Sequence, residues 1–395
     1  MKKIVIYNGE VLTPSENIGD GAVVIEDGKI TGVEKHKPQI TDAHYIDACG
    51  CYISPGFIDL HTHGAGNADF MDNTVEACLQ VAYTHAIHGT TLLFPTTLTS
   101  TNEELFEFFD IYEKAKAENV NGAAFGGIHL EGPYFSHAHR GAQDSRFLKN
   151  PDPKDYELIL ERSKGNIACW SIAPELPGAL ELGRGLVKRG IRPSIAHTEA
   201  TYDDVVAAYE VGYKQMTHFY SAMNGITRHN AKRYAGCIEA GYLIDDMAIE
   251  IIADGVHVPK PLLQLVMKTK GVDNIMLVTD SMRGAGMPEG KSILGSLKNG
   301  QEIIIEDGVA KLLDRSAFAG SVATADRLVR TMVQIAEVPL IDAVCMISTT
   351  PARIAGLEST KGKIAIGYDA DIVIFDKDIN VQTTIVKGET INKQK

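Results

Sequence analysis

The sequence predicts an α/β chain: a (β/α)8 TIM-like barrel with a small β-sandwich domain formed by both chain termini. Three observations carry this. Eight short apolar runs alternate with amphipathic segments from Phe57 to about residue 350, the pattern of a parallel sheet buried on both faces and crossed by helices. β-type patterning is concentrated at the two ends of the chain. Ligand-type side chains recur where the runs end, the place where barrel enzymes build their sites.

In chain order, residues 1–54 read as β-structure. Ile4-Val5-Ile6 meets Asn8-Gly9, and Gly21-Ala22-Val23-Val24-Ile25 meets Asp27-Gly28 before Lys29-Ile30-Thr31-Gly32-Val33; Asn-Gly and Asp-Gly are hairpin signals. Cys49 and Cys51 alternate as strand neighbours and are expected on one face. Pro55-Gly56 then breaks the pattern. The eight runs are 57–63, 91–97, 127–132, 168–173, 193–198, 215–219, 248–253 and 275–280, with helices expected over 74–88, 103–117, 202–211 and 261–270. Residues 282–321 read as irregular apart from a hairpin at Asp307-Gly308. Helices follow at 323–337 and 340–348, and the tail strand 370–375 is too short to fold alone. The expected domains are 1–54 plus 352–395 for the sandwich and 55–351 for the barrel.

Composition narrows the function. The chain has 395 residues, 44% apolar and 23% charged, ordinary globular values. A net charge of -13 argues against non-specific nucleic-acid binding. No apolar run reaches the roughly 18 residues of a membrane span, and the first apolar run, ending at Asn8-Gly9, is too short for a signal-peptide core. The six cysteines show no CxxC pair and read as reduced packing residues of a cytoplasmic protein. Neither a P-loop nor a dinucleotide fingerprint follows any run, and a Gly-x-Ser-x-Gly elbow is missing.

The chemistry lies at the run ends. His61-Thr62-His63 closes the first run, and on a strand residues i and i+2 face the same side, so both imidazoles point to one place. Run three ends in Glu131, run five in His197, run six in His218, run seven reaches His257, and run eight ends in Asp280. Imidazoles and carboxylates without thiolates suit a divalent cation, with zinc first and iron, manganese or cobalt as alternatives, one or two per chain. A cation with an open position lowers the pKa of a bound water towards 7. A lone carboxylate beside it, Asp280, suits the proton shuttle to a leaving nitrogen.

These residues resemble the amidohydrolase superfamily in the Pro55-Gly56-Phe57-Ile58-Asp59-x-His61-x-His63 opening and the closing Gly367-Tyr368-Asp369-Ala370-Asp371-Ile372-Val373-Ile374-Phe375. Within it, His129-Leu130-Glu131-Gly132-Pro133, Ala196-His197-Thr198, Thr217-His218-Phe219-Tyr220-Ser221-Ala222-Met223, Ala253-Asp254-Gly255-Val256-His257 and Val278-Thr279-Asp280 are similar to the N-acetylglucosamine-6-phosphate deacetylases. The resemblance implies Glu131, His197 and His218 as core metal ligands and Asp280 as general acid/base at the metal. His61 and His63 would complete a second metal position. His257, Gln143, and the backbone of Ser221 and Ala222 would meet the substrate. An arginine from a neighbouring subunit, for which Arg228 is the nearest match, would grip the phosphate in a homodimer or higher homo-oligomer. Departures fall in the sugar-facing part: Arg228-His229-Asn230-Ala231-Lys232-Arg233-Tyr234 replaces the usual stretch, and Ser221 stands where asparagine is common. The implied reaction is deacetylation of N-acetylglucosamine 6-phosphate. The alternatives are another N-acyl sugar phosphate such as N-acetylgalactosamine 6-phosphate, an N-acyl amino acid, a cyclic amide, or an inactive barrel scaffold.

Overall fold

The computed structural model describes residues 3–13 and 16–392. Eight parallel strands carry the core: β1 (Phe57–Thr62), β2 (Thr90–Pro95), β3 (Ile128–Glu131), β4 (Ile167–Ile172), β5 (Arg192–Ile195), β6 (Gln215–Met216), β7 (Ala248–Ile251) and β8 (Ile275–Leu277). Strands β3 to β8 pair in chain order as one six-stranded parallel sheet, and β1 pairs with β2 in another. Parallel bridges Thr96–His129 and Thr62–Ser281 link the two, giving a TIM-barrel-like arrangement. Every residue of β1 and β2 is buried, as strands covered on both faces must be.

Helices lie where the amphipathic spacing expects them: Val75–Ile87, Asn102–Glu118, Tyr202–Glu210 and Lys260–Lys270. The first three start on a threonine, Thr74, Thr101 and Thr201, whose hydroxyl accepts the amide of the third helical residue. That satisfies one of the amide donors a helix start leaves open. Outward-facing side chains of the strands join the helices in the main apolar core. A second cluster, including Ile58, Leu60, Leu92, Phe94, Ala248, Ile252, Met276 and Val278, fills the space between the strands, closed by Ala352.

Both ends of the chain meet in one mixed eight-stranded sheet. Ile372–Phe375 pairs antiparallel with Tyr52–Pro55, which lies beside Lys3–Leu12 and its antiparallel neighbour Asn17–Glu26. The sheet has its own apolar core of Ile4, Ile6, Val23, Ile25, Ile53, Ile372, Ile374 and Ile385.

Several expectations need correction. Asp27-Gly28 does turn a hairpin, with both φ positive at 49° and 78°, as a type I′ turn requires. Asn8-Gly9 does not: Lys3–Leu12 runs straight through it, and Asn8 (φ 57°) lies where the register slips, as in a bulge. Cys49 and Cys51 are not strand neighbours. Cys49 sits in a left-handed turn (φ 52°) whose amide donates to Asp47 Oδ1 at 2.8 Å. Residues 282–321 are more regular than their pattern suggests, because Gly290–Leu294 adds a third strand to Gln301–Glu306 and Val309–Leu312. The helix Thr349–Ile354 packs beneath the strands, with Ala352 in the cluster between them.

Candidate metal centre and substrate pocket

The carboxyl ends of the strands bring the expected ligands together. His61 and His63 come from β1 and the residue after it, Glu131 from the end of β3, and His197, His218 and Asp280 from just beyond β5, β6 and β8. The last three have left-handed backbone, φ 45°, 30° and 44°, a conformation that costs non-glycine residues about 1–3 kcal/mol and clusters at functional sites. Neighbouring strands hold it: Asp280 donates its amide to His61 O at 2.8 Å, and the Phe219 amide donates to Glu250 O at 2.8 Å.

Two groups form. Glu131, His197 and His218 make one, with His218 Nε2 at 2.9 Å and His197 Nε2 at 3.4 Å from Glu131 Oε1, and 3.2 Å between the two nitrogens. His61, His63 and Asp280 make the other, with Asp280 Oδ1 3.3 Å from His61 Nε2 and 3.1 Å from His63 Nε2. Glu131 joins them, its Oε1 3.6 Å from His61 Nε2 and its Oε2 3.5 Å from His63 Nε2. The edge of a tetrahedron of nitrogens about 2.1 Å from an ion is about 3.4 Å, close to these separations.

Ring orientation supports the same use. His63 Nδ1–H donates to Thr96 O at 3.2 Å, His197 Nδ1–H to His139 O at 2.9 Å, and His61 Nδ1–H to Glu250 Oε2 at 3.1 Å. A carbonyl or carboxylate can only accept, so each of these Nδ1 atoms carries a proton and Nε2 is the nitrogen turned towards the centre. The donor set and its spacing fit a divalent cation.

Electrostatics follow from crowding acids and bases in a buried place. Burial opposes charge on His61, yet the carboxylates of Asp280, Glu131 and Glu250 push its pKa up to about 10. Burial would raise Asp280, but His61, His63 and His218 hold it down to about 2. Glu131 is held well below the ordinary range against the same burial, by His61, His197 and His218. A divalent ion at these atoms would take the place of the protons on the imidazoles.

Above the ligands opens a pocket of about 350 Å³. Gln143, Ser221, Ala222 and His257 all line it. Gln143 does more than line the pocket: its Nε2 donates to Glu131 Oε2 at 2.7 Å while its Oε1 accepts the Thr99 amide at 2.9 Å. The Ser221 amide is committed to His218 O at 2.9 Å, so that amide is not available to a ligand. His257 Nδ1 bonds Asp254 Oδ2 at 2.7 Å, and its ring lies against Phe318 with centroids 4.2 Å apart. Arg228 lies outside the pocket, on an exposed hairpin of Thr227–His229 with Lys232–Tyr234.

Five contributors carry no sequence-based assignment. Glu250, fully buried on β7, backs His61, and its signal was available as a carboxylate inside an apolar run. Asp254 positions His257, three residues away in a tight turn. Phe318 and Leu294 reach the pocket from the three-stranded insert. Arg283, 2% exposed, fastens that insert through Asp72 (2.7 Å) and the carbonyls of Ile293, Asn67 and Gly295. No periodicity marks these last three, because their partners are distant in sequence.

The amidohydrolase family model matches residues 52–391. The N-acetylglucosamine-6-phosphate deacetylase of Lysinibacillus sphaericus is 32% identical over 98% of this chain and 97% of its own length. The N-acetylgalactosamine-6-phosphate deacetylase of Escherichia coli O157:H7 is 29% identical over 96% and 97%. A mutant of the Mycobacterium smegmatis N-acetyl-D-glucosamine-6-phosphate deacetylase, solved in complex with N-acetyl-D-glucosamine-6-phosphate, superposes with a TM-score of 0.90 at 29% identity over the whole of both chains. By the family match and by its similarity to these relatives along nearly its whole length, the chain belongs to the amidohydrolase family and, within it, to the group of N-acetylglucosamine-6-phosphate deacetylases.

Proposed function

We propose that this chain hydrolyses the acetamide of N-acetylglucosamine 6-phosphate, releasing acetate and glucosamine 6-phosphate. The observation that carries the reading is the placing of Asp280 Oδ1 within 3.3 Å of both imidazoles of the His61–His63 pair, at the base of a pocket large enough for a sugar.

Glu131, His197 and His218 would hold a divalent cation, and His61, His63 and Asp280 a second, which would supply Lewis acidity towards the scissile carbonyl and lower the pKa of a water; zinc suits the donor set first. Asp280, ionised at neutral pH, takes a proton from the attacking water as the C–O bond forms. It then delivers that proton to the nitrogen as the C–N bond breaks, so the amine departs neutral. His257, with Nδ1 committed to Asp254, offers its other ring nitrogen to the substrate. Gln143 orients Glu131 and faces the sugar. Ser221, Ala222 and Phe318 shape the pocket wall.

The phosphate needs a cation that can grip two oxygens, which a guanidinium does. Arg228, on its exposed hairpin, is proposed to reach the pocket of a neighbouring subunit in a homodimer. The fold is read as a closed (β/α)8 barrel over 55–351. A small sandwich-like domain is built from 1–54 and 352–395, its residues 1–2, 14–15 and 393–395 lying outside the described ones. All six thiols are unpaired, which suits the cytoplasm, and no helix of the described residues is long and apolar enough to cross a membrane.

The test is acetate release from N-acetylglucosamine 6-phosphate, N-acetylgalactosamine 6-phosphate and unphosphorylated N-acetylglucosamine, with and without chelator. Fastest turnover of the first, abolished by chelation, is expected. Equal turnover of the unphosphorylated sugar refutes the sugar-phosphate reading.

A further inference from the structure

We propose that Glu250 is the positioning residue that makes His61, His63 and Asp280 a cation site, by fixing His61 from behind, and that it ties this group to Glu131, His197 and His218. The proposal rests on reading His61, His63 and Asp280 as a second cation position.

Glu250 is 0% exposed. It alternates with Ala248 and Ile252, which belong to the cluster between the strands, whereas Ile249 and Ile251 face the outer core. The carboxylate therefore points in beneath the metal centre. Its Oε2 accepts from His61 Nδ1–H at 3.1 Å and from the His218 amide at 3.3 Å, and its Oε1 accepts from Gln215 Nε2 at 3.5 Å. One oxygen thus touches a side chain of one ligand group and the backbone of the other. The amide contact also holds His218 in its left-handed conformation.

Among the four imidazoles at the centre, His61 alone is backed by a carboxylate. His63 and His197 lean on neutral backbone carbonyls, and His218 Nδ1 has no partner among the described residues. A carboxylate behind an imidazole fixes its tautomer and raises its basicity as a ligand. A buried carboxylate with no such role is a liability, because burying an unpaired charge is costly.

A rival use of the same atoms fails. His61, His129 and Glu250 lie close enough to suggest a third cation site, but both ring nitrogens of His129 are taken. Its Nδ1–H donates to Leu60 O at 3.2 Å, and its Nε2 accepts from Ser171 Oγ at 2.7 Å. His61 also cannot turn its Nε2 away from Asp280 without abandoning its own group.

The experiment strips the full-length protein with chelator and titrates it with Co²⁺, counting ions by elemental analysis and following their coordination by visible absorption. Wild type, Glu250→Gln and Glu250→Leu are compared, with melting of each metal-free form. Wild type is expected to bind two ions. Glu250→Gln keeps an acceptor oxygen for His61 and the His218 amide but loses the charge. It is expected to bind the first ion as wild type does and the second roughly 10–100-fold more weakly, with little change in metal-free melting. Glu250→Leu is expected to lose the second ion outright. Two ions at wild-type affinity in both variants overturn the proposal. So does an equal weakening of both ions alongside lowered metal-free melting, or failure of both variants to fold, since either marks a purely structural role. A wild-type chain that takes up one ion refutes the two-cation reading, and the proposal with it.

Discussion

Asp280→Asn is the sharpest perturbation of the proposed chemistry. The amide matches the carboxylate in shape and keeps an oxygen 3.1–3.3 Å from His63 and His61, so the pocket stays open and its walls unmoved. It cannot take up a proton. Removing a positioned acid/base typically costs 10²–10⁴ in rate, about 3–5 kcal/mol at 1.36 kcal/mol per decade. Because the wild-type carboxyl is held down to about 2, its negative charge is present throughout the working pH range, and the variant loses it at every pH. The assay is acetate release from N-acetylglucosamine 6-phosphate by protein whose ion content has been counted first. The expected result is kcat lower by two to four decades in fully loaded protein. Wild-type kcat at full ion content refutes the shuttle. A loss of kcat matched by a proportional loss of ions refutes it too, because Asp280 would then be a ligand only.

Asp254→Asn weakens a charge-assisted bond to His257 Nδ1 at 2.7 Å, worth about 1.5–3 kcal/mol; a roughly 10–100-fold drop in kcat/KM is expected by steady-state kinetics, and an unchanged value refutes the positioning of His257. Arg283→Leu leaves Asp72 and three carbonyls without their buried guanidinium, so about 3–5 kcal/mol is lost from urea unfolding, with faster hydrogen exchange in 290–312; a loss below about 1 kcal/mol refutes Arg283 as the insert's anchor. In the metal-free protein His61 has a folded pKa of about 10, above its ordinary 6.5. Its contribution to stability is therefore complete below pH 6.5 and lost as pH rises through about 10. A cation arriving at His61 near pH 7.5 must expel a proton, which calorimetry in buffers of different ionisation heat measures; uptake without proton release refutes the assignment of that proton.

The candidate metal centre was legible because its side chains end strands. His61, His63, Glu131, His197, His218 and Asp280 each close an apolar run, and parallel strands with a common direction deliver all their ends to one face. Helix placement was equally local, set by apolar spacing and by Thr74, Thr101 and Thr201 as caps. What misled was local pattern without context. Asn8-Gly9 has hairpin chemistry, but pairing with both Asn17–Glu26 and Ala43–Asp47 holds the strand straight through it. Gly290–Leu294 lacks a clear alternation and becomes a strand only because Gln301–Glu306 lies beside it.

Periodicity and residue chemistry are properties of short segments, so the strand-and-crossover architecture and the candidate ligand side chains were legible before folding. How those side chains are held depends on contacts made in the folded chain. The Nδ1 partners of His61, His63 and His197, the Gln143–Glu131 contact, and Phe318 over His257 join residues far apart in the chain. Such contacts depend on where whole elements pack, and no short segment encodes that position. Glu250 shows the boundary most clearly: its residue type is visible inside an apolar strand, but only the folded ring puts His61 and His218 against the same oxygen.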